Sequence, residues 1–153
     1  MENFTLYHPY IWNEFKLNDQ QLPAFGFATL RLCIKLPQEE SPSLKALSII
    51  DMYTAYTLWI DGKIKASNGT VGKNKEQSIP RWQPRVAIFS THKDIVEIII
   101  HVSNFHYDKG GLGKSILLGN QDQIQEQRLT AKVIDYFIIG AIITMAIYHL
   151  LLF

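Results

Sequence analysis

The sequence has little cysteine and almost no net charge. Cys33 is the single cysteine among 153 residues, so the chain can neither close an internal disulfide nor form a cysteine-rich metal site. Fifteen basic residues balance 14 acidic ones, which leaves a formal charge of +1. A charge this small provides no electrostatic field that attracts nucleic acid. We therefore expect no nucleic-acid partner.

The common enzyme motifs are also missing. The sequence contains no G-x-S-x-G, H-E-x-x-H, P-loop or Rossmann glycine run. Its five histidines are scattered, and no pair has the spacing of metal ligands. We predict that the chain is not an enzyme and has no catalytic residues, no metal ligands and no cofactor. Two distant carboxylates could still meet in the fold, so a catalytic function stays the weaker alternative.

The N-terminus has no signal-peptide pattern, because Met1–Asn3 carries no basic residue and no apolar run follows. The apolar run lies at the other end, at Val133–Phe153. As a helix it would be about 31 Å long, enough to cross a bilayer core. It is apolar on all sides, which favours a membrane-spanning helix over one packed on a soluble domain. The polar segment 120–132 before it is predicted to be a connecting helix.

Residues 1–119 show the pattern of a β-sandwich or jelly-roll domain. Phe27–Leu36 alternates apolar and polar residues, with Cys33 on the polar face. Ile95–Ser103 has isoleucines on both faces, which predicts a central strand covered on both sides. Asp61 and Gly62 separate two strand-like runs and predict a type I′ hairpin. The other predicted strands are Leu44–Ile50, Tyr53–Ile60, Lys63–Ser67 and Val86–Phe89.

The densest polar cluster, Val102–Lys114, follows the strongest predicted strand, which would hold it in place. Its side chains offer donors for hydroxyls or a carboxylate, and its two adjacent glycines allow close backbone approach or a positive φ. The alternative is a wide structural turn in which Asn104 bonds backbone and Phe105 fills the core. The predicted ligand-binding residues here are Asn104, His106, Tyr107, Lys109, Gly110, Gly111 and Lys114.

Two more predicted ligand-binding residues lie in or beside the long segment Thr70–Arg85. Trp82 stands between two prolines and two arginines, as a candidate exposed aromatic. Asn68 belongs to the turn that begins the segment. Trp59, by contrast, is predicted to pack in the core.

Four stretches in order resemble one family of bacterial sensor domains. They are Gly26–Leu32, Ala55–Lys73 with its Tyr-Thr-Leu-Trp-Ile-Asp-Gly-Lys run, Val102–Gly119 with Val-Ser-Asn-Phe-His and Lys-Gly-Gly-Leu, and Gly140–Phe153 with Tyr-His-Leu-Leu-Leu-Phe. The chain thus resembles the extracytoplasmic domain and first membrane helix of bacterial seven-transmembrane receptors with diverse intracellular signalling modules.

The resemblance implies a galactose-binding-like jelly roll that senses a small-molecule ligand, such as a carbohydrate, outside the inner membrane, in the periplasm. It also implies that Val133–Phe153 is the first of several membrane helices, with the output module absent from this chain. A homodimer is left open. The rival interpretation is an anchored interaction or scaffold domain, and the jelly-roll resemblance also implies, as a weaker alternative, a carbohydrate-active enzyme module. A concave site lined by His106, Lys109 and Trp82 would favour the sensor, and a flat apolar patch would favour the scaffold.

Overall fold

The computed structural model describes residues 4–6, 11–14, 16–36, 44–50, 52–91 and 93–152. The loop predicted between Leu36 and Leu44 lies, apart from its first residue, outside these ranges, as does Phe153. The described strands, in chain order, are Phe4–Leu6 (β1), Lys16–Leu17 (β2), Gln20–Gln21 (β3), Gly26–Lys35 (β4), Leu44–Ile49 (β5), Met52–Tyr53 (β6), Ala55–Ile60 (β7), Lys63–Asn68 (β8), Arg85–Ser90 (β9), Ile95–Asn104 (β10), Gly111–Leu112 (β11) and Ile116–Asn120 (β12). Trp12–Glu14 forms a 3-10 turn, and Gln121–Leu152 forms helix α1.

These strands build a β-sandwich followed by a helix, which confirms the predicted fold class. One antiparallel sheet has the order β1-β12-β5-β9, and the other has the order β4-β10-β7-β8. Two short ribbons, β6 with β11 and β2 with β3, lie beside them. The apolar core fills the space between the two sheets, with β5 and β9 on one side and β7 and β10 on the other.

Strand β10 lies in the middle of its sheet, between β4 and β7. Its alternate residues Val96, Ile98, Ile100 and Val102 face the core and are buried, as the period of a strand requires. Coverage of the opposite face, predicted from its isoleucines, is wrong for most of the strand. Ile95 is 58% exposed, and this outer face also carries the exposed His101. Only its last outward residue, Ser103, is fully covered.

The turn at Asp61–Gly62 has the predicted hairpin geometry, with φ of 48° and 77°. The predicted strand Tyr53–Ile60 is instead divided at Thr54. The Thr54 amide and hydroxyl both donate to the Ser103 carbonyl, at 3.0 and 3.2 Å. This bend turns β6 away from the main sheet and towards β11.

Helix α1 is a single helix that includes both the predicted connecting segment and the apolar run. At its start the Asn120 amide donates to Gln123 Oε1 at 3.2 Å, which is one of the two hydrogen bonds of a capping box. Lys45 of β5 donates to Asn120 Oδ1 at 2.8 Å, and Ile124 is buried at the sandwich edge. Beyond this contact the helix is exposed, and it is long and apolar enough to cross a membrane.

Candidate functional site

A cleft of about 290 Å³ lies where β6, the long loop 69–84 and the β10–β11 loop meet. We call it the aromatic cleft. This volume is close to the lower end of the range for small-molecule pockets, about 300 Å³. Its described lining consists of Met52, Tyr53, Thr54, Pro80, Arg81, Trp82 and Tyr107.

The bend at Thr54 supplies one side of the aromatic cleft. Because β6 leaves the main sheet there, the half-buried Tyr53 reaches the loops, while Met52 stays buried in the core and forms part of the cleft wall. The Tyr53 ring stacks on Tyr107, with ring centroids 4.9 Å apart and an angle of 28° between the planes. This contact joins two chain segments into one aromatic surface.

The long loop 69–84 is tied to the outer face of the β10 sheet. Gly69 has a φ of 68°, and a side chain there would collide with the Ile79 carbonyl, so the turn requires glycine. Thr70 and Ile79 exchange backbone hydrogen bonds of 2.9 and 3.0 Å. The buried Ser103 hydroxyl accepts from the Gly72 amide at 3.2 Å and shares a hydrogen bond with Ser78. These contacts explain why the end of β10 is covered.

The same loop holds Arg81 and Trp82 at the cleft. The Arg81 amide donates to the Thr54 carbonyl at 3.1 Å, and Asn68 Nδ2 donates to the Gln83 carbonyl at the same distance. Pro80 and Pro84 restrict the backbone on either side. Trp82 therefore lies on a backbone fixed before and after it, with 70% of its surface exposed.

Asn104 organises the other loop. It is fully buried, and its Nδ2 group lies 2.9, 2.6 and 3.1 Å from the carbonyl oxygens of Ala24, Tyr107 and Lys109. Its Oδ1 accepts from the Tyr107 amide at 3.1 Å. The amide of Asn104 is thus committed to backbone groups, which places Tyr107 against Tyr53.

The 3-10 turn Trp12–Glu14 holds this loop at Gly110, near its C-terminal end. A side chain on Gly110 would collide with the Trp12 indole, and the Trp12 amide donates to the Gly110 carbonyl at 2.8 Å. Asn13 Oδ1 accepts from the Gly110 amide at 3.1 Å. Gly111 has a φ of 103°, a conformation that glycine adopts readily. The close approach predicted for these glycines occurs, with this chain's own tryptophan as the partner.

The predicted ligand-binding residues thus fall into three groups. Trp82 and Tyr107 line the aromatic cleft together, although they lie in different loops. Asn68, Asn104, Gly110 and Gly111 are buried and hold the loops, and for Asn104 this is the structural alternative that the sequence left open. His106, Lys109 and Lys114 are exposed but do not line the cleft. The concave site expected around His106, Lys109 and Trp82 therefore contains only the last of the three.

Sequence reasoning did not select Tyr53 and Arg81. Arg81 could have been found from its position between Pro80 and Trp82, since a charged residue beside an exposed aromatic on a restrained loop is a typical binding feature. Nothing local marks Tyr53, because the sequence continues the strand pattern through the bend.

The prediction that Trp59 packs in the core is wrong. Trp59 is half-buried on the outer face of the β10 sheet, where the centroid of its ring lies 4.4 Å from that of His101. The core residues of β7 are its alternate neighbours, such as Leu58. On the same face Glu97 pairs with Arg31 at 2.6 Å and raises the pKa of that guanidinium by hydrogen bonding.

In the described part of the chain, no three side chains of His, Cys, Asp or Glu are grouped to hold a metal.

A second hollow, of about 180 Å³, opens between the sheets behind the edge strand β4. Its lining is mostly aliphatic, with Leu30, Ile100 and Ile116 among the contributors. Its polar members are Thr29 and Arg31, and the Arg31 guanidinium is already paired with Glu97. The aromatic cleft differs from it in carrying exposed aromatic rings and an arginine that is unpaired among the described residues.

No protein-family model and no curated protein matches the chain. Solved structures match its fold. A β-glucuronidase from Ruminococcus gnavus has a TM-score of 0.54 at 12% identity, over 72% of this chain and 22% of that chain. β-Glucuronidase 2 from Bacteroides uniformis also scores 0.54, at 15% identity, over 75% of this chain and 14% of that one.

A third match is a GH2 β-galacturonidase from Eisenbergiella tayi bound to galacturonate, with a TM-score of 0.50 and 12% identity, over 72% of this chain and 19% of that chain. The chain spans about a fifth of the length of these enzymes or less. Its fold is thus that of a β-sandwich found within GH2 glycosidases, consistent with the galactose-binding-like class.

Proposed function

We propose that this chain is a membrane-anchored module that binds a carbohydrate in the aromatic cleft. The cleft carries the proposal, because it places the exposed indole of Trp82 beside the stacked rings of Tyr53 and Tyr107. Aromatic rings provide large flat surfaces on which the apolar face of a sugar ring can pack. The fold neighbours are named for carbohydrate chemistry, and one is described with a bound sugar acid.

The same proposal assigns the chain to signalling rather than catalysis. Its sequence resembles the sensor domain of bacterial receptors, and helix α1 has the length and composition of a membrane anchor. We place the sandwich in the periplasm, with α1 as the first inner-membrane helix of a receptor. The described cleft lining offers aromatic, aliphatic, hydroxyl and guanidinium groups, which suit the binding and orientation of a ligand.

The proposal is tested by titrating the full chain, in detergent micelles, with a panel of neutral and acidic mono- and disaccharides, using calorimetry and ligand-observed NMR. We expect at least one sugar to bind. Trp82→Ala should weaken its binding by roughly tenfold to a hundredfold, since a hydrophobic contact of this kind contributes about 1.5–3 kcal/mol.

Trp59→Ala is the matched control, because it removes an indole from the outer face and leaves the cleft lining intact. Circular dichroism should show that both variants keep the β-sandwich. The proposal fails if no sugar in the panel binds, or if Trp59→Ala and Trp82→Ala weaken binding equally.

A further inference from the structure

Arg81 is the one charged residue in the described lining of the aromatic cleft. Its side chain is exposed and makes no hydrogen bond or ion pair with any described residue. The guanidinium donors are therefore available to a ligand that enters the cleft. Arg81 precedes Trp82 in the chain and lines the cleft together with Tyr53 and Tyr107.

The position of Arg81 is fixed in advance by its backbone. The 3.1 Å hydrogen bond from its amide to the Thr54 carbonyl attaches it to the strand side of the cleft. The Thr70–Ile79 pair holds the chain before it, and the Asn68–Gln83 bond holds the chain after it. A ligand then has only the side chain to order, which keeps the entropic cost of binding low.

The chemistry of the lining favours one type of ligand group. Apart from Arg81, the described lining residues are uncharged, so Arg81 brings the one charge to a largely aromatic and apolar lining. A guanidinium presents parallel N–H donors that match the two oxygens of a carboxylate. A ring that stacks on aromatic side chains while presenting a carboxylate at its edge fits both features.

We propose that the aromatic cleft selects saccharides that carry a carboxylate, of the uronic-acid type, and that Arg81 is the residue that selects them. The sugar ring packs on Trp82 and Tyr107, and the carboxylate accepts hydrogen bonds from the guanidinium. This inference rests on the proposed function, because it specifies the ligand class of the same cleft.

The test uses sugar pairs that differ only at carbon 6: galacturonic acid with galactose, and glucuronic acid with glucose. The full chain in micelles is titrated with all four sugars at low and high NaCl. We expect at least one acid to bind roughly tenfold more tightly than its neutral partner at low salt, and this preference to shrink as salt rises. Arg81→Gln should remove the preference without removing neutral-sugar binding.

Lys109→Gln is the matched control, since it removes the same charge from an exposed residue outside the cleft lining. The preference should persist in this variant. Equal binding of acid and neutral sugar by the wild type, still dependent on Trp82, would overturn this inference and leave the proposed function standing. A preference that survives Arg81→Gln, or tighter binding of galactose 6-sulfate than of galacturonic acid, would also overturn it. Failure of every sugar to bind would overturn the inference and the proposed function together.

Discussion

The Tyr56 hydroxyl is buried without a hydrogen-bond partner among the described residues. Two further buried polar atoms lack a hydrogen-bond partner among the described residues. They are Arg85 Nε and the Oδ1 of Asn68, the β8 residue that pairs with Tyr56 of β7. Burial raises the pKa of Tyr56 to about 12, while the charge of Arg85 acts in the opposite direction. This side chain thus has a measurable effect on how stability depends on pH.

We expect the free energy of unfolding to fall as pH rises from about 10 to about 12. An unfolded tyrosine ionises near pH 10, whereas folded Tyr56 keeps its proton to about pH 12, so the unfolded chain loses the proton first. The stabilisation is fully present below pH 10. Its loss amounts to roughly 2–3 kcal/mol at the top of this window.

Urea denaturation of wild type and Tyr56→Phe between pH 8 and pH 12 measures this effect, because the other tyrosines contribute equally to both curves. At pH 8 the variant should match or exceed the wild type in stability, since it removes a buried hydroxyl that lacks a partner. Parallel curves across the window would show that Tyr56 ionises normally.

For single residues, the sequence indicates which side chains are important but not which distant groups they contact in the fold. Trp82 and Tyr107 could be selected as candidate aromatics from their loop positions. Backbone bonding by Asn104 is one of the two alternatives that the sequence leaves open for this loop, but its partner Ala24 could not be named, because it lies 80 residues away in the chain. The same holds for Gly110 and Asn13, which are 97 residues apart. Such contacts are set by the packing of whole strands.

Among the elements, the β10–β11 loop depends most on one side chain. Asn104→Ala should lower the free energy of unfolding by about 1–3 kcal/mol, because it leaves partly buried carbonyl and amide groups of this loop, and the Ala24 carbonyl, without this partner. Thermal or urea denaturation monitored by circular dichroism measures the loss. Asn104→Asp should be similarly harmful, since a carboxylate cannot donate to the surrounding carbonyls.

Lys109→Ala provides the comparison from the same loop. Only the Lys109 carbonyl bonds to Asn104, and its side chain is exposed, so the change should stay within about 0.5 kcal/mol. Equal effects of Asn104→Ala and Lys109→Ala would contradict the positioning role of the buried amide.

The longer strands could be predicted from local patterns in the sequence. Alternation located β4 and β10, and Asp61–Gly62 located the β7–β8 hairpin. The two-residue strands β6 and β11 were missed, because segments this short have no period to detect. The bend at Thr54 depends on the Ser103 carbonyl, which belongs to a distant strand. The aromatic cleft is built at these short elements, so its location could not be predicted.

For the whole molecule, we expect α1 to bind the chain to lipid. The wild type should float with liposomes in a density gradient. The double variant Ile138→Arg/Ile142→Arg should not float with liposomes, because each arginine within the apolar run costs about 2.5–3.5 kcal/mol on insertion scales.

Leu129→Arg/Ala131→Arg adds the same charges before the apolar run and should leave flotation unchanged. Flotation of both variants, or of neither, would contradict an anchor formed by the apolar run.

The junction at Asn120 makes the sandwich and α1 mechanically continuous. Lys45 and the buried Ile124 fix the first turn to the sheet that contains β5, and α1 then continues as a single helix for 32 residues. At about 1.5 Å per residue, such a helix is a lever arm roughly 48 Å long. A tilt of about 5° at its base moves the far end by roughly 4 Å, about three quarters of the rise of one helical turn. Small rearrangements of the sandwich are thus geometrically amplified at the opposite end of the helix.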